Sequence, residues 1–434
     1  MKNKSKRIWS EAKKLIPTGN HLLSKHPDIF LPNQWPEYYK RAKGIYIWDQ
    51  NNTKYIDMCL MGVGTNILGY ANTNIDKEVI KSIKSSNMSS LNNINEYYLA
   101  RELIKLHPWF DMAKFARTGA EANAIALRIS RAYTGKENVA VCGYHGWHDW
   151  YLAANYKKKS LDSHLFPNLK SKGVVKSLKK NIFSFEYNNF DQLQKLINTK
   201  NIGTIFMEVS RSYKPKNNFL KRIRKISKQK KIVLIFDECS SGFRECNGGL
   251  HKKFGIHPDM AMFGKALGNG YAITSILGKK KIMKAAEKTF ISSTFWTEGI
   301  GFVAGKATLK EFNRVKPWKK INKIGNYIKR KWTELARINN IEIEVFGLDA
   351  MPGFRFKYEQ NNLYKSFITQ EFLKKNILAS TSIYVSNDHN MKVINKYLVI
   401  LDKIFGKINE HRKNKKKKKL LNGPEAIIGM SRSN

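Results

Sequence analysis

Short apolar runs alternate with stretches of helical spacing through the middle of the chain. Residues 139–142, 202–209 (IGTIFMEV) and 232–238 (IVLIFDE) read as strands, and the two longer runs carry carboxylates at their ends. After a shorter strand at 114–116, Ala122, Ile125, Ala126, Ile129, Ala132 and Tyr133 recur every three or four positions, one face of a helix. Residues 219–231 (FLKRIRKISKQKK) form an amphipathic helix between two strands. Uninterrupted apolar strands separated by helices predict an α/β fold, a mainly parallel sheet covered by helices.

The flanks follow other patterns. The first 65 or so residues are rich in loops, with Pro17, Gly19, Pro27, Pro32 and Pro36, and then alternate through GIYIWDQNNTKYIDM. That stretch predicts a hairpin turning at Asn51-Asn52. Helical spacing returns at 74–83 and 96–106. Beyond about residue 309 come a Lys-rich helix (318–339), strand-like IEIEVFG and PGFRFKY, and helices at 366–376 and 391–408. The expected organisation is an N-terminal segment (1–65), a large domain (66–308), a smaller α+β C-terminal domain (309–420) and a tail (421–434) with no usable period.

Composition changes this picture little. In 434 residues with 42% hydrophobic positions a sizeable core is available, and no run reaches the ~18 apolar residues of a membrane-crossing helix. The N-terminus has positive charge but no apolar stretch behind it, so no secretory leader is expected. The net charge of +44 raises the question of nucleic acid. Only 16 of the 78 basic residues are Arg, the residue suited to bidentate phosphate and base contacts. The lysines also spread along the whole chain, with dense runs at 157–159 and 415–419. Solvated faces account for them, no nucleic-acid partner is expected, and the field would draw in anionic substrates. Cys59, Cys142, Cys239 and Cys246 form no C-x-x-C pair, which fits a reducing cytoplasm.

Open parallel sheets bind ligands beyond the carboxyl ends of their strands, and four such ends carry polar residues. RTGAEAN places Thr118, Gly119 and Ala120 at a helix start, where free amides and the helix dipole favour an anion. GYHGWHDWY brings Tyr144, an aromatic able to stack on a planar ligand, with His145 beside it. His145, His148 and Asp149 lack a further ligand motif, so no metal is expected. Asp237 and Glu238 end an otherwise apolar strand and need a cationic partner, with Arg244 a nearby choice. PDMAMFGKALGNG presents Lys265 in an apolar, glycine-flanked setting that favours the uncharged amine needed for an imine. Anion cradle, stacking aromatic, carboxylate and enclosed lysine together fit pyridoxal phosphate.

In their order, YIDM…LGY, RTGAEAN, YHGWHDW, IFDECSSGFR, FGKALGNG and STFWTEG resemble the class-III aminotransferases, fold-type-I pyridoxal-phosphate enzymes. Within them the likeness is to the glutamate-1-semialdehyde 2,1-aminomutases and their paralogues, from about Ile16 into the small domain. The resemblance implies Lys265 as the Schiff-base lysine, Asp237 on the pyridine nitrogen and Ser240 near the ring hydroxyl. It implies Thr118, Gly119 and Ala120 on the phosphate, Tyr144 stacked on the ring, and His145 beside it. Thr297 matches a threonine that reaches the phosphate of the neighbouring subunit, so a homodimer with shared sites is implied. Three departures concern the substrate. Lys25, in PTGNHLLSKHP, stands where the aminomutase has a carboxylate-binding arginine; FWTEGIG replaces the usual Thr-Leu-Ser-Gly-Asn-Pro run; and Val209 follows Glu208 in place of proline. The alternative implied by such paralogues is a transaminase of an amino-sugar or surface-polysaccharide precursor.

Overall fold

The computed structural model describes residues 4–156, 171–414 and 419–427. The lysine run at 157–159, most of that at 415–419, and the end of the tail lie outside them. The chain forms two compact units, one of Met1–Asn72 with Lys319–Gly429 and one containing Thr73–Trp318.

In the first unit the N-terminal alternation folds into three antiparallel strands, β1 (Tyr39–Lys43), β2 (Tyr46–Asp49) and β3 (Lys54–Met58). Asp49 makes the turn after β2, its Oδ1 accepting from the amides of Asn51 and Thr53 at 2.8 and 2.9 Å. The strand Ile377–Ala379 then joins β3 in parallel, Ile377 opposite Ile56, so distant parts of the chain share one sheet. The helices Pro317–Ile338 and Met391–Lys413 meet where Trp332 Nε1 donates to the Tyr397 hydroxyl at 3.2 Å, both side chains being fully buried.

The second unit is built on seven strands: β4 (Met112–Ala116), β5 (Val139–Cys142), β6 (Ile182–Ser184), β7 (Thr204–Glu208), β8 (Val233–Asp237), β9 (Met260–Phe263) and β10 (Thr274–Gly278). Their spatial order is β4-β10-β9-β8-β7-β5-β6. Only β10 runs antiparallel to its neighbours. The carboxyl ends of the other six therefore share one edge. β5, β7, β8 and β9 are buried at every position, as their apolar runs require. The helix Gly119–Thr134 covers the sheet with Ala122, Ile125, Ala126 and Ile129. Its expected apolar face was two residues too long: Ala132 and Tyr133 are exposed, because the final turn projects past the packed surface before Gly135 closes it in the left-handed conformation. Among the described residues no helix is long and apolar enough to cross a membrane.

Candidate active site

The helix start after β4 is fixed by its own side chains. Thr118 is the N-cap of Gly119–Thr134, and with Glu121 it forms a complete capping box. The Glu121 Oε2 accepts from the amides of Arg117 (3.1 Å) and Thr118 (2.7 Å) and from the Thr118 hydroxyl (2.9 Å). The amides of Gly119 and Ala120, at the first two helical positions, have no acceptor within the helix. Small residues keep the approach to them open. A Cβ on Gly119 would lie 3.3 Å from Cys239 Sγ, and one on Gly146, at φ +98°, would lie 2.7 Å from the Ala120 Cβ. The same Cys239 sulfur lies 3.5 Å from the Cβ position of Gly264, the residue before Lys265. The ends of β4, β8 and β9 therefore converge at Cys239.

Asp237, the last residue of β8, is 5% exposed. Its Oδ2 accepts from Asn123 Nδ2 at 2.8 Å and lies 3.0 Å from His145 Nδ1, while Oδ1 accepts from the Cys239 amide at 3.0 Å. Burial alone would raise its pKa. The His145 hydrogen bond and charge, with the bonds from the Cys239 amide and Asn123, outweigh burial and hold the carboxyl below the usual carboxylate range. The other ring nitrogen of His145 faces the Cys142 carbonyl at 3.1 Å. Both neighbours are acceptors, so the ring satisfies both when each nitrogen carries a proton. Arg244 is elsewhere: its Nε donates to the Ser240 carbonyl.

Lys265 follows β9 and is held at φ +42°. That left-handed conformation costs a non-glycine residue on the order of 1–2 kcal/mol, a strain of the kind that persists where surroundings over-determine a functional residue. Its Nζ donates to Ser240 Oγ at 2.5 Å. The registers that join β8 to β9, with Asp237 opposite Met262, bring this lysine and the carboxylate to one edge. Tyr144 completes the group. Its amide donates to Glu208 Oε2 at 3.1 Å, and its ring meets Tyr151 edge-on at 6.0 Å. Burial, then the charge of Asp237, pushes the Tyr144 phenol up, so it stays neutral.

Two expected residues remain. Thr297 ends the single turn Thr294–Thr297, is exposed, and lines a cleft of about 430 Å³ together with Asn87, Asn93 and Lys306. Lys25 belongs to the first compact unit, exposed at the end of the turn Leu23–Lys25. Sequence reading missed the roles of Asn123 and Glu121. Glu121 carried a legible signal, the spacing Thr118-x-x-Glu121 of a capping box.

Amides at a helix start, a buried ionised carboxylate, a neutral aromatic and a lysine on one strand edge are the donor set that pyridoxal phosphate requires. Comparison with known proteins agrees with this chemistry. The family model "Aminotransferase class-III" matches residues 32–403. The chain belongs to the class-III aminotransferases. It is an enzyme of that class, its cofactor is pyridoxal phosphate, and the expected α/β fold is the one observed. It is 32% identical to a 3-aminobutyryl-CoA aminotransferase of Cloacimonas acidaminovorans, over 85% of this chain and 87% of the relative. It is 36% identical to a glutamate-1-semialdehyde 2,1-aminomutase of Nitrosopumilus maritimus, over 71% and 73%. Solved structures share the fold at low identity. The pyridoxal-phosphate form of the Sphingopyxis FumI protein superposes with a TM-score of 0.83 at 21% identity, covering 95% of this chain and 98% of that one. A glutamate-1-semialdehyde aminomutase of Pseudomonas aeruginosa gives 0.80 at 15%, covering 93% and 94%.

Proposed function

We propose that this class-III aminotransferase moves an amino group between carbons with Lys265 as its catalytic residue, in the manner of a glutamate-1-semialdehyde 2,1-aminomutase. The observation that carries the reading is the placement of Lys265 Nζ on Ser240 Oγ, at the strand edge that also holds the ionised Asp237. Bound there, pyridoxal phosphate supplies an electron sink for the pair left behind when a proton leaves the carbon bearing nitrogen. The chain's own residues do the rest. Lys265 Nζ holds the cofactor covalently, and when released it takes that proton and returns it to the neighbouring position. Asp237 keeps the pyridine nitrogen protonated, with His145 and Asn123 fixing the carboxylate. Thr118, Gly119 and Ala120 bind the phosphate, Tyr144 stacks on the ring, and Ser240 orients Lys265 Nζ and the ring hydroxyl.

The enzyme in this reading is a cytoplasmic homodimer in which Thr297 of each copy reaches the phosphate of the other. The exposure of Thr297 beside Phe295, itself 69% exposed, supports a surface that a second copy covers. Four free cysteines support a reducing compartment. Lys25 meets a substrate carboxylate, and the net charge of +44 favours an anionic substrate. A second reading, a two-substrate transaminase, is favoured by lysine at position 25 and by the relative named 3-aminobutyryl-CoA aminotransferase. Purified enzyme loaded with the amine form of the cofactor and given glutamate 1-semialdehyde alone separates the two. Many turnovers to an isomeric product support the aminomutase; a single half-turnover that leaves the cofactor in its aldehyde form and stalls until an amino donor is added supports the transaminase.

A further inference from the structure

The segment Phe295–Trp296–Thr297–Glu298 is bonded to the helix start that begins Gly119–Thr134. Trp296 Nε1 donates to Glu121 Oε1 at 3.0 Å, while Glu121 Oε2 holds the Arg117 and Thr118 amides of the phosphate cradle. One carboxylate thus ties the helix start to this segment. Arg117 ties it a second time. Its Nε donates to the Phe295 carbonyl at 2.8 Å, and its Nη2 to the carbonyls of Trp296 and Glu298 at 3.0 and 2.7 Å. The guanidinium also lies 3.6 Å from the Glu298 carboxylate. From the other side Asn87 closes the ring: its Nδ2 donates to Glu298 Oε2 at 3.0 Å, its Oδ1 accepts from the Ile300 amide at 2.9 Å, and its carbonyl accepts from the Gly299 amide at 2.7 Å. Thr297, exposed like Phe295, faces outward, and its hydroxyl bonds within its own turn, to the Thr294 carbonyl.

We propose that Arg117 and Trp296 are positioning residues for phosphate binding, a clamp that fixes the cradle at Thr118, Gly119 and Ala120 and the Thr297 segment as one rigid piece. The inference rests on the reading that the cradle and a second copy's Thr297 share a phosphate. The clamp touches neither substrate nor ring. Its effect is to preorganise: two loose elements must be ordered by each phosphate bound, whereas a clamped pair is ordered beforehand, and binding is tighter by that difference. Because one clamp serves the cradle of its own copy and the threonine offered to the other, loosening it weakens both sites together. Arg suits the position, since its planar fork reaches three carbonyls at once and lysine presents a single compact charge.

The test titrates full-length protein, freed of cofactor, with pyridoxal phosphate and with pyridoxal, which lacks the phosphate. Trp296→Phe keeps the ring and removes the donor; Arg117→Lys keeps the charge and removes the fork. Both variants should bind pyridoxal phosphate at least threefold more weakly than wild type and pyridoxal within twofold of it. Thermal melting of each cofactor-free protein reports on folding, so a Trp296→Phe chain that does not fold leaves Arg117→Lys to decide. Wild-type affinity for pyridoxal phosphate in both variants, or equal losses for the two ligands, overturns the clamp. Failure of the underlying reading shows separately in the wild type, as equal affinity for the two ligands or as a monomer in sedimentation, and it overturns the clamp as well.

Discussion

His145 Nδ1 lies 3.0 Å from Asp237 Oδ2, across 92 positions of sequence. The bond joins the end of β5 to the end of β8 and anchors a carboxylate whose pKa burial alone would raise. With Asn123 and the Cys239 amide on the same group, every bond to Asp237 is from a donor that favours its charged form. An apolar strand thereby ends in a fixed negative charge, the partner a pyridinium needs.

Asp237→Asn removes that charge and leaves His145 facing an amide. Losing one partner of a buried ion pair costs ~3–5 kcal/mol, which, felt in the transition state, is a rate loss of two to four orders of magnitude. The variant should still bind the cofactor, as an absorbance titration will show. A loss of turnover below about tenfold, ~1.4 kcal/mol, removes Asp237 from the role.

The same carboxylate carries a pH dependence. Its folded pKa is below the ordinary value, so its contribution to stability is present above that ordinary value, near pH 4, and fades as pH falls through the folded one. Urea unfolding followed from pH 7 to pH 3 should show a shallower loss of stability in Asp237→Asn than in wild type. Parallel curves would mean that the carboxylate has the same pKa folded and unfolded.

Much of this site is legible in the sequence because each strand's apolar run stops at or within two residues of a polar or aromatic side chain on the shared edge. Asp237, Tyr144 and Lys265 stand out for that reason. Asn123 does not, since a polar residue among alanines on a helix announces no partner 114 positions away. Trp296 does not either, because its hydrogen bond to Glu121 depends on two distant turns meeting. The fold follows the same division. Periodicity shows β5, β7, β8 and β9 and the helix Gly119–Thr134, but β6, β10 and the helix Gly299–Val315 go unread, and the reversed direction of β10 leaves no mark, since an enclosed strand is apolar in either sense. The parallel pairing of Ile377–Ala379 with β3 involves too few residues to carry a period.

Gly146→Ala should weaken the cradle. The new Cβ would lie 2.7 Å from the Ala120 Cβ at a backbone φ of +98°, so either the helix start or the Gly146 loop must move. The left-handed strain adds on the order of 1–2 kcal/mol. Lower melting temperature together with weaker pyridoxal-phosphate binding is expected; unchanged affinity would show that the cradle does not depend on this contact.

Lys25→Ala should raise the KM for the true substrate and leave the absorbance of bound cofactor as in wild type. Lys25→Arg, which restores a bidentate donor, should retain or improve turnover of an α-carboxylated substrate such as glutamate 1-semialdehyde. Wild-type kinetics in Lys25→Ala with every productive amine would take this loop out of substrate binding and favour a sugar-type substrate without a carboxylate.

In the proposed reaction Lys265 carries the cofactor and moves the proton. Borohydride reduction of the holoenzyme followed by peptide mapping tests it directly, since reduction fixes the cofactor to whichever amine holds it. Label is expected on the peptide containing FGKALGNG, at Lys265 alone among 62 lysines, and the Lys265→Ala chain should fold, take up no label and not turn over. Label on another lysine, or full activity in Lys265→Ala, would contradict it.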